Sequence, residues 1–201
     1  MAYLNENPKL IFKNIKELLI DGVKDRRHAF HTPVFTNTDT KSFSDSRIVV
    51  LRSFDPKKLI INFHTDFRSP KVTSLLQNNN SLFVFYDSNL KIQLRIKVKS
   101  TINNQNDISK IFWDKTRLMS RKCYLTEKAP SSITNKPEDG VDLNLRGKEP
   151  ILSESEKGYK NFAVVLNRII EIDWLYLNAK GHRRLNIKLN NKKPSFNWII
   201  P

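Results

Sequence analysis

Residues 46–71 read S-R-I-V-V-L-R-S-F-D-P-K-K-L-I-I-N-F-H-T-D-F-R-S-P-K, the most telling run in the chain. Arg47–Phe54 is rich in β-branched and aromatic side chains, which fit a pleated, half-buried surface. Asp55-Pro56-Lys57-Lys58 supplies a turn, because proline presets one backbone angle and aspartate bonds the following amides. Leu59–His64 then reads as the antiparallel partner strand. Ser69 and Pro70 mark a helix start, serine as cap and proline at the first helical position, where its missing N–H costs nothing. Val72, Leu75 and Leu76 form that short helix's apolar side.

Outward from this run the pattern stays mainly β. Leu82–Tyr86 and Lys91–Thr101 are predicted strands; in the second, Ile92, Leu94, Ile96 and Val98 alternate with Gln93, Arg95, Lys97 and Lys99, one buried face against one polar face. Asp107–Met119 has helical spacing. Thr126–Lys160 turns polar, punctuated by Pro130, Pro137, Gly140, Gly147, Pro150 and Gly158, and reads as a lid or an unstructured excursion. Strands resume at Phe162–Ile172, Leu175–Leu177, Arg183–Leu189 and Phe196–Ile200. Upstream, Pro8–Arg27 is an amphipathic helix capped by Asn7, with Ile11, Ile15, Leu18, Leu19 and Val23 on one face. Ala29–Thr36 reads as a strand and Thr38–Asp45 as a polar loop. There is no internal repeat. The expected architecture is α+β, mainly β: an antiparallel barrel with flanking helices, one domain over 1–201.

Composition narrows the class. The chain has 201 residues with 39% hydrophobic and 10% aromatic residues, enough for a real core. No apolar run approaches the roughly 20 residues of a membrane span. Met1–Asn7 has no basic segment leading into an apolar one, so a cytoplasmic protein is expected. Cys123 is the single cysteine, which excludes an internal disulfide and a thiolate metal cluster. Lys plus Arg is 35 against 20 Asp plus Glu, a net charge of +15. Such a field attracts polyanions or concentrates phosphorylated small molecules. The bases are scattered, from Lys9, Lys13 and Lys16 through Lys57, Lys58, Lys91, Lys97 and Lys99 to Lys192 and Lys193, rather than arranged as the stripe of a nucleic-acid binder.

Familiar catalytic templates are missing. With five glycines in the chain there is no G-x-G-x-x-G or P-loop, and no G-x-S-x-G elbow. Of the four histidines, His28, His31, His64 and His182, only the first two are close, without an acidic third ligand, so no metal site is expected. Cys123, after Arg121 and Lys122, reads either as an acidified thiol or as a small buried hydrophobe. What remains is a basic, hydroxyl-rich set: Arg47 and Arg52 around one strand, His64, Thr65, Ser69 and Lys71 at the strand-to-helix junction, and Gln93 with Arg95 on one face of the next strand. A helix start with two hydroxyls and nearby cations suits a phosphate monoester, and a Gln amide suits the edge of a flat heterocycle. Two readings stand on spacing alone: a nucleotide or flavin phosphate site, or ordinary charges at strand ends and a helix start.

At these residues the chain resembles the FMN-binding split-barrel domain of the pyridoxamine 5′-phosphate oxidase family. The matching pieces are Ser46–Arg52, Asn62–Lys71, Leu75–Asn79 and Ile92–Ile96, in the family's order and separations; Asp107–Trp113, Ile172–Leu177 and His182–Arg184 fall where later elements belong. The resemblance implies a split β-barrel, FMN as cofactor, and a homodimer with FMN at the subunit interface. Its flavin contacts carry over to Arg47, Ile48, Val49, Val50, Leu51 and Arg52, to His64 in place of an aromatic, and to Thr65, Ser69, Lys71 and Gln93. The family's Ser-Arg-Lys is here Ser69-Pro70-Lys71, with Arg68 as the candidate replacement guanidinium; Trp174 and Arg184 match later contacts. On the substrate side, Phe112, Thr116 and Ser120 align with the family's Tyr, Arg and Ser, so only the Ser is kept, and His182-Arg183-Arg184 stands as a rearranged version of its C-terminal Arg-x-His segment.

These matches imply a flavin-dependent oxidoreductase on a small, perhaps phosphorylated, substrate, in which the flavin and no protein nucleophile carries the chemistry. Two alternatives stay open: an NAD(P)H-dependent FMN reductase of another small molecule, and a non-enzymatic basic protein binding flavin or a polyanion.

Overall fold

The computed structural model describes residues 6–190 and 193–201. Residues 1–5 of the expected leaderless start, and Lys192 of the basic set, lie outside them. The described chain runs α1 (Pro8–Lys24), β1 (Val34–Thr38), β2 (Ser44–Ile48), β3 (Ser53–Asp55), β4 (Ile60–Asp66), α2 (Pro70–Gln77), β5 (Asn80–Asp87), β6 (Ile92–Asn104), α3 (Asp107–Lys115), α4 (Leu118–Arg121), α5 (Leu152–Glu156), β7 (Phe162–Tyr176), β8 (Arg183–Asn190) and β9 (Lys193–Ile199). The strands form one antiparallel sheet in the order β2-β1-β5-β6-β7-β4-β3, with β8 joined to β7 and β9 to β8.

The sheet divides at β7. One edge of this long strand pairs with β6 from Asn104 back to Ile92, with a register shift between Lys97 and Val98. Its other edge serves two partners: Phe162–Arg168 pairs with β4, and Glu171–Tyr176 with β8. A strand has one free edge for each residue, so β4 and β8 take successive lengths of it and the sheet splits there. The segments predicted as Phe162–Ile172 and Leu175–Leu177 are thus one continuous strand.

Arg47–Phe54, expected as one strand, is two. β2 pairs with β1 at one edge of the sheet, and β3 pairs with β4 at the other. Between them the chain changes partners: the Val49 and Leu51 N–H groups donate to the Pro33 and His31 carbonyls (3.0 and 2.9 Å), and the Arg52 N–H donates to the Asn62 carbonyl (2.9 Å). Val49 and Leu51 are buried, so this apolar run spans the mouth between the two edges and fills it. The ladder stays open; the crossing segment covers the opening.

Other boundaries shift for local reasons. α1 ends at Lys24 rather than Arg27, because the Asp25 carboxylate accepts the Arg27 N–H (2.9 Å) and starts a turn. Phe30 then folds back on Gly22, where an added Cβ would lie 2.9 Å from Phe30 backbone atoms, and β1 begins only at Val34. The polar loop from Thr38 yields to strand at Ser44, since Asp39 accepts the Lys41 and Phe43 N–H groups (both 2.8 Å) and closes a tight hairpin.

Two cores result. The main one joins Ile11, Ile15 and Leu19 of α1 to Phe35, Phe63, Phe83, Phe85, Leu94, Ile96 and Trp174 of the sheet. The second sits under α3 and holds Trp113, Tyr124, Phe162 and Val164. It also organises part of the polar excursion. Arg121, 3% exposed, donates to Glu156 (2.6 Å), Ser155 (3.2 Å) and the carbonyls of Trp113 (2.9 Å) and Thr116 (3.0 Å), which ties α5 to α3. Thr126–Lys160 is therefore not wholly unstructured: its ends are anchored, and residues 131–139 are exposed coil and turn.

Candidate functional site

Thr65 projects inward from β4, Ser69 precedes α2, and Lys71 lies in the first turn of that helix. The Lys71 ammonium donates to Thr65 Oγ1 (3.1 Å) and Ser69 Oγ (2.7 Å). Both hydroxyl residues are buried. Ser69 occupies the cap position, but its side chain makes no capping bond and serves Lys71 instead. Arg47 approaches from β2. It pairs with Asp45, donates to Asn37 Oδ1, and holds its guanidinium 5.9 Å from the centre of the Phe35 ring. Burial, and then the Arg47 charge, push the Lys71 pKa below the ordinary lysine range, against the pull of Asp45 and Asp66.

This arrangement is short of negative charge. Two cations face each other, and the Asp45 carboxylate is already paired with Arg47. Thr65 and Ser69 accept from Lys71, which leaves their O–H groups free to donate onward, and the α2 N-terminus adds its partial positive charge. A cluster of donors around an underneutralised ammonium fits the phosphate of FMN.

His64, next to Thr65 in sequence, faces the other side of β4, as alternation in a strand requires. Its ring meets Phe112 and Phe162 edge-on at 5.6 and 4.8 Å between centroids. Burial, with the Arg52 charge second, lowers its pKa to about 3, so it is neutral at pH 7. Its Nε2 is enclosed without a hydrogen-bond partner, as is Oδ1 of Asn62 two residues earlier, whose Nδ2 donates to Ser53 Oγ. Arg52 is exposed. Phe112 thus meets His64, while Ser120 lies in α4, where its carbonyl accepts the Cys123 thiol (3.0 Å). Desolvation pushes the Cys123 thiol pKa up, against the acidified thiol, and the residue is exposed rather than the small buried hydrophobe of the other reading.

Several predicted residues are placed elsewhere. Arg68 does not join the Lys71 cluster: its guanidinium makes a two-point pair with Asp66 (3.1 and 2.7 Å) and donates to the Thr126 and Glu127 carbonyls and to Thr126 Oγ1, so it anchors the excursion. Trp174 is a core residue, 2% exposed and packed on Tyr176 and Trp198, not a surface for a ligand. Val49 and Leu51 likewise turn their side chains into the core, whereas Ile48 is 62% exposed. His182 is exposed in the β7–β8 turn, where its Nδ1 accepts the Asn178 N–H (3.1 Å). Gln93 stands opposite Tyr86 and Leu175 on the outer face of the sheet, away from the inner face that carries Arg47. Arg184 shares that outer face, bound through two contacts (3.0 and 2.7 Å) to Asp173, which also pairs with Arg95.

Sequence reasoning missed Asp45 and Asn37, which hold Arg47. Their places on a hairpin beside a strand arginine were the only available signal. It also missed Arg121, whose partners are distant in sequence.

Residues 13–104 match the profile of the family described as the pyridoxamine 5′-phosphate oxidase, FMN-binding domain. No curated protein matches the sequence significantly. Among solved structures, a pyridoxamine 5′-phosphate oxidase-related, FMN-binding protein from Nostoc punctiforme superposes with a TM-score of 0.72 at 17% identity, over 94% of this chain and 97% of that one. PhzG from Burkholderia lata, solved with tetrahydrophenazine-1-carboxylic acid, also gives a TM-score of 0.72 at 12% identity, over 98% and 95% of the two chains. At these identities the structural likeness establishes the split-barrel fold. Residues 13–104 thus carry the sequence profile of the pyridoxamine 5′-phosphate oxidase FMN-binding domain, and the chain shares the split-barrel fold of such FMN-binding proteins over nearly its whole length.

Proposed function

We propose that the protein is a homodimeric, FMN-dependent oxidoreductase acting on a small molecule in the cytoplasm, with the FMN phosphate held by Arg47, Thr65, Ser69 and Lys71. The observation that carries this reading is Lys71, a half-buried lysine whose ammonium has two hydroxyls as direct partners and a second cation as neighbour. A phosphate dianion supplies the missing countercharge and accepts from all four groups. When bound, the isoalloxazine supplies the hydride chemistry, and the chain's part is to bind and orient it.

Gln93, the side chain suited to the ring edge, is on the sheet face opposite to Arg47. That division supports a site shared between two chains. So does the outer face itself, where Ile48 (62% exposed) and Tyr86 (49%) stand on the same side of the sheet as Val34, Leu82 and Val84.

The substrate side supports a second reading. Thr116, in place of the family's arginine, donates its hydroxyl to the Phe112 carbonyl (2.8 Å) and brings no charge of its own to a substrate phosphate. This favours an FMN reductase fed by a nicotinamide donor over oxidation of a phosphorylated amine. The test is a titration with FMN followed by visible absorbance and flavin fluorescence, then anaerobic addition of NADPH or pyridoxamine 5′-phosphate. Saturation at one flavin per chain is expected, and the donor that bleaches the flavin chooses between the two enzymes. No saturable binding would discard the reading.

A further inference from the structure

We infer that the cavity between Arg68 and the polar excursion binds a small zwitterion, a compound whose ammonium and carboxylate are separated by a short hydrocarbon chain. The inference is independent of the FMN reading, because its residues belong to the excursion and to the turn before β7.

The cavity has a volume of about 430 Å³, within the usual range for small-molecule sites. Asn161, 7% exposed, is held in its wall from three sides. Its carbonyl accepts the Phe67 N–H (2.7 Å), its N–H donates to the Gly158 carbonyl (3.0 Å), and its Nδ2 donates to the Tyr124 carbonyl (2.8 Å). With Nδ2 committed, Oδ1 is on the opposite side of the amide. It makes no hydrogen bond to the described residues, yet it is not an enclosed atom, so it is open to the cavity that Asn161 lines. An acceptor fixed in this way on a buried residue is satisfied by a donor from outside the chain.

Four charges on the same lining are in no ion pair among the described residues: the carboxylates of Glu127 and Asp142 on the excursion, and the ammonium groups of Lys157 and Lys160 ahead of β7. The other charges of the lining are committed. Arg68 is paired with Asp66, and Glu154 Oε2 accepts the Ile151 N–H (3.0 Å). A ligand of one sign would be repelled by one of the two free sets, whereas a zwitterion is attracted by both. Its N–H groups also supply the donor for Asn161 Oδ1. Leu125 and Leu145 line the cavity as well and offer apolar surface to the hydrocarbon between the charged ends.

The experiment titrates intact ¹⁵N-labelled protein with 5-aminopentanoate, and with pentylamine and pentanoate as probes carrying one charge each. Backbone amide shifts report the site. 5-Aminopentanoate should saturate shifts in residues 124–127 and 158–161 and bind about fivefold more tightly than either single-charge probe, the scale of one exposed charge pair. The double variant Glu127→Gln, Asp142→Asn should lose the preference over pentanoate, and Lys157→Gln, Lys160→Gln the preference over pentylamine. All four positions are exposed, so these variants keep the fold. If the four side chains instead pair with one another and close the cavity, 5-aminopentanoate will show no saturable binding, and the inference is overturned. Equal affinity for the three probes, saturable shifts centred elsewhere, or preferences unchanged in both double variants would overturn it as well.

Discussion

Lys71 is held by two hydroxyls, and Arg47 by Asp45 and Asn37, so truncating either removes a donor from the cluster, with Lys71 the cation that no carboxylate contacts directly. We expect Lys71→Ala and Arg47→Ala each to weaken FMN binding at least tenfold, about 1.4 kcal/mol for one lost charge-assisted contact. Fluorescence titration of the two variants checks this, and unchanged affinity in both would unseat the phosphate assignment. His64 supplies a pH signature. Its folded-state pKa of about 3 lies below the ordinary value of 6.5. The unfolded chain therefore binds a proton that the folded chain refuses, so the contribution to stability is fully present above pH 6.5 and is lost as pH falls toward 3. Between pH 6.5 and 5, above most carboxylate titration, the slope should approach about 1.4 kcal/mol per pH unit. Urea unfolding across that window should show this slope in wild type and a flatter one in His64→Phe. These two residues were legible in the sequence to different degrees. The helix start at Ser69-Pro70 and the adjacent lysine are read locally, from residue type and spacing. The neutrality of His64 depends on Phe112, Phe162 and Arg52, which meet it only on folding.

Among the elements, α1, α2 and β4–β6 follow from capping residues and periodicity, signals that act within a few neighbouring residues. Asn7 accepts the Lys9 N–H (3.0 Å), as a cap should, and β6 keeps its two-residue alternation from Ile92 to Ser100. The elements that misread are those whose partners lie far away. Arg47–Phe54 has the composition of one strand, yet its hydrogen bonds go to His31 and Pro33 at one end and to Asn62 at the other. The excursion is similar: Arg121 looks like a surface base after a helix, but is 3% exposed and bonds four groups across α3 and α5. Arg121→Ala should detach α5 and lower stability by roughly 2–3 kcal/mol, the range for hydrogen bonds to a charged group that leave buried carbonyls unpaired. Hydrogen exchange should show faster exchange in residues 150–160, with β5 and β6 unaffected. Uniform acceleration across the sheet would show that the anchor supports the whole fold rather than this excursion.

At the scale of the whole molecule, the open sheet presents two faces with different tasks. The inner one ends in the Lys71 cluster, and the outer one carries Ile48, Tyr86 and Gln93. If that outer face joins two copies, Ile48→Asp should shift the protein toward monomer in sedimentation experiments and weaken FMN binding with it; a monomeric wild type would remove the shared site. The +15 charge is scattered along the sequence, and the cations of the site are a small part of it. By itself, the sequence determined the α+β class, the helices α1 and α2, the strands β4–β6 and the helix start at Ser69, because each rests on alternation, capping or residue type over short spans. Tertiary structure alone decided that Trp174 fills the core, that Arg68 and Arg121 tie down the excursion, that Gln93 faces away from Lys71, and that one apolar run joins both edges of the split sheet. The reason is that burial and hydrogen-bond partnership are properties of neighbours in space, and in an antiparallel sheet those neighbours lie tens of residues away along the chain.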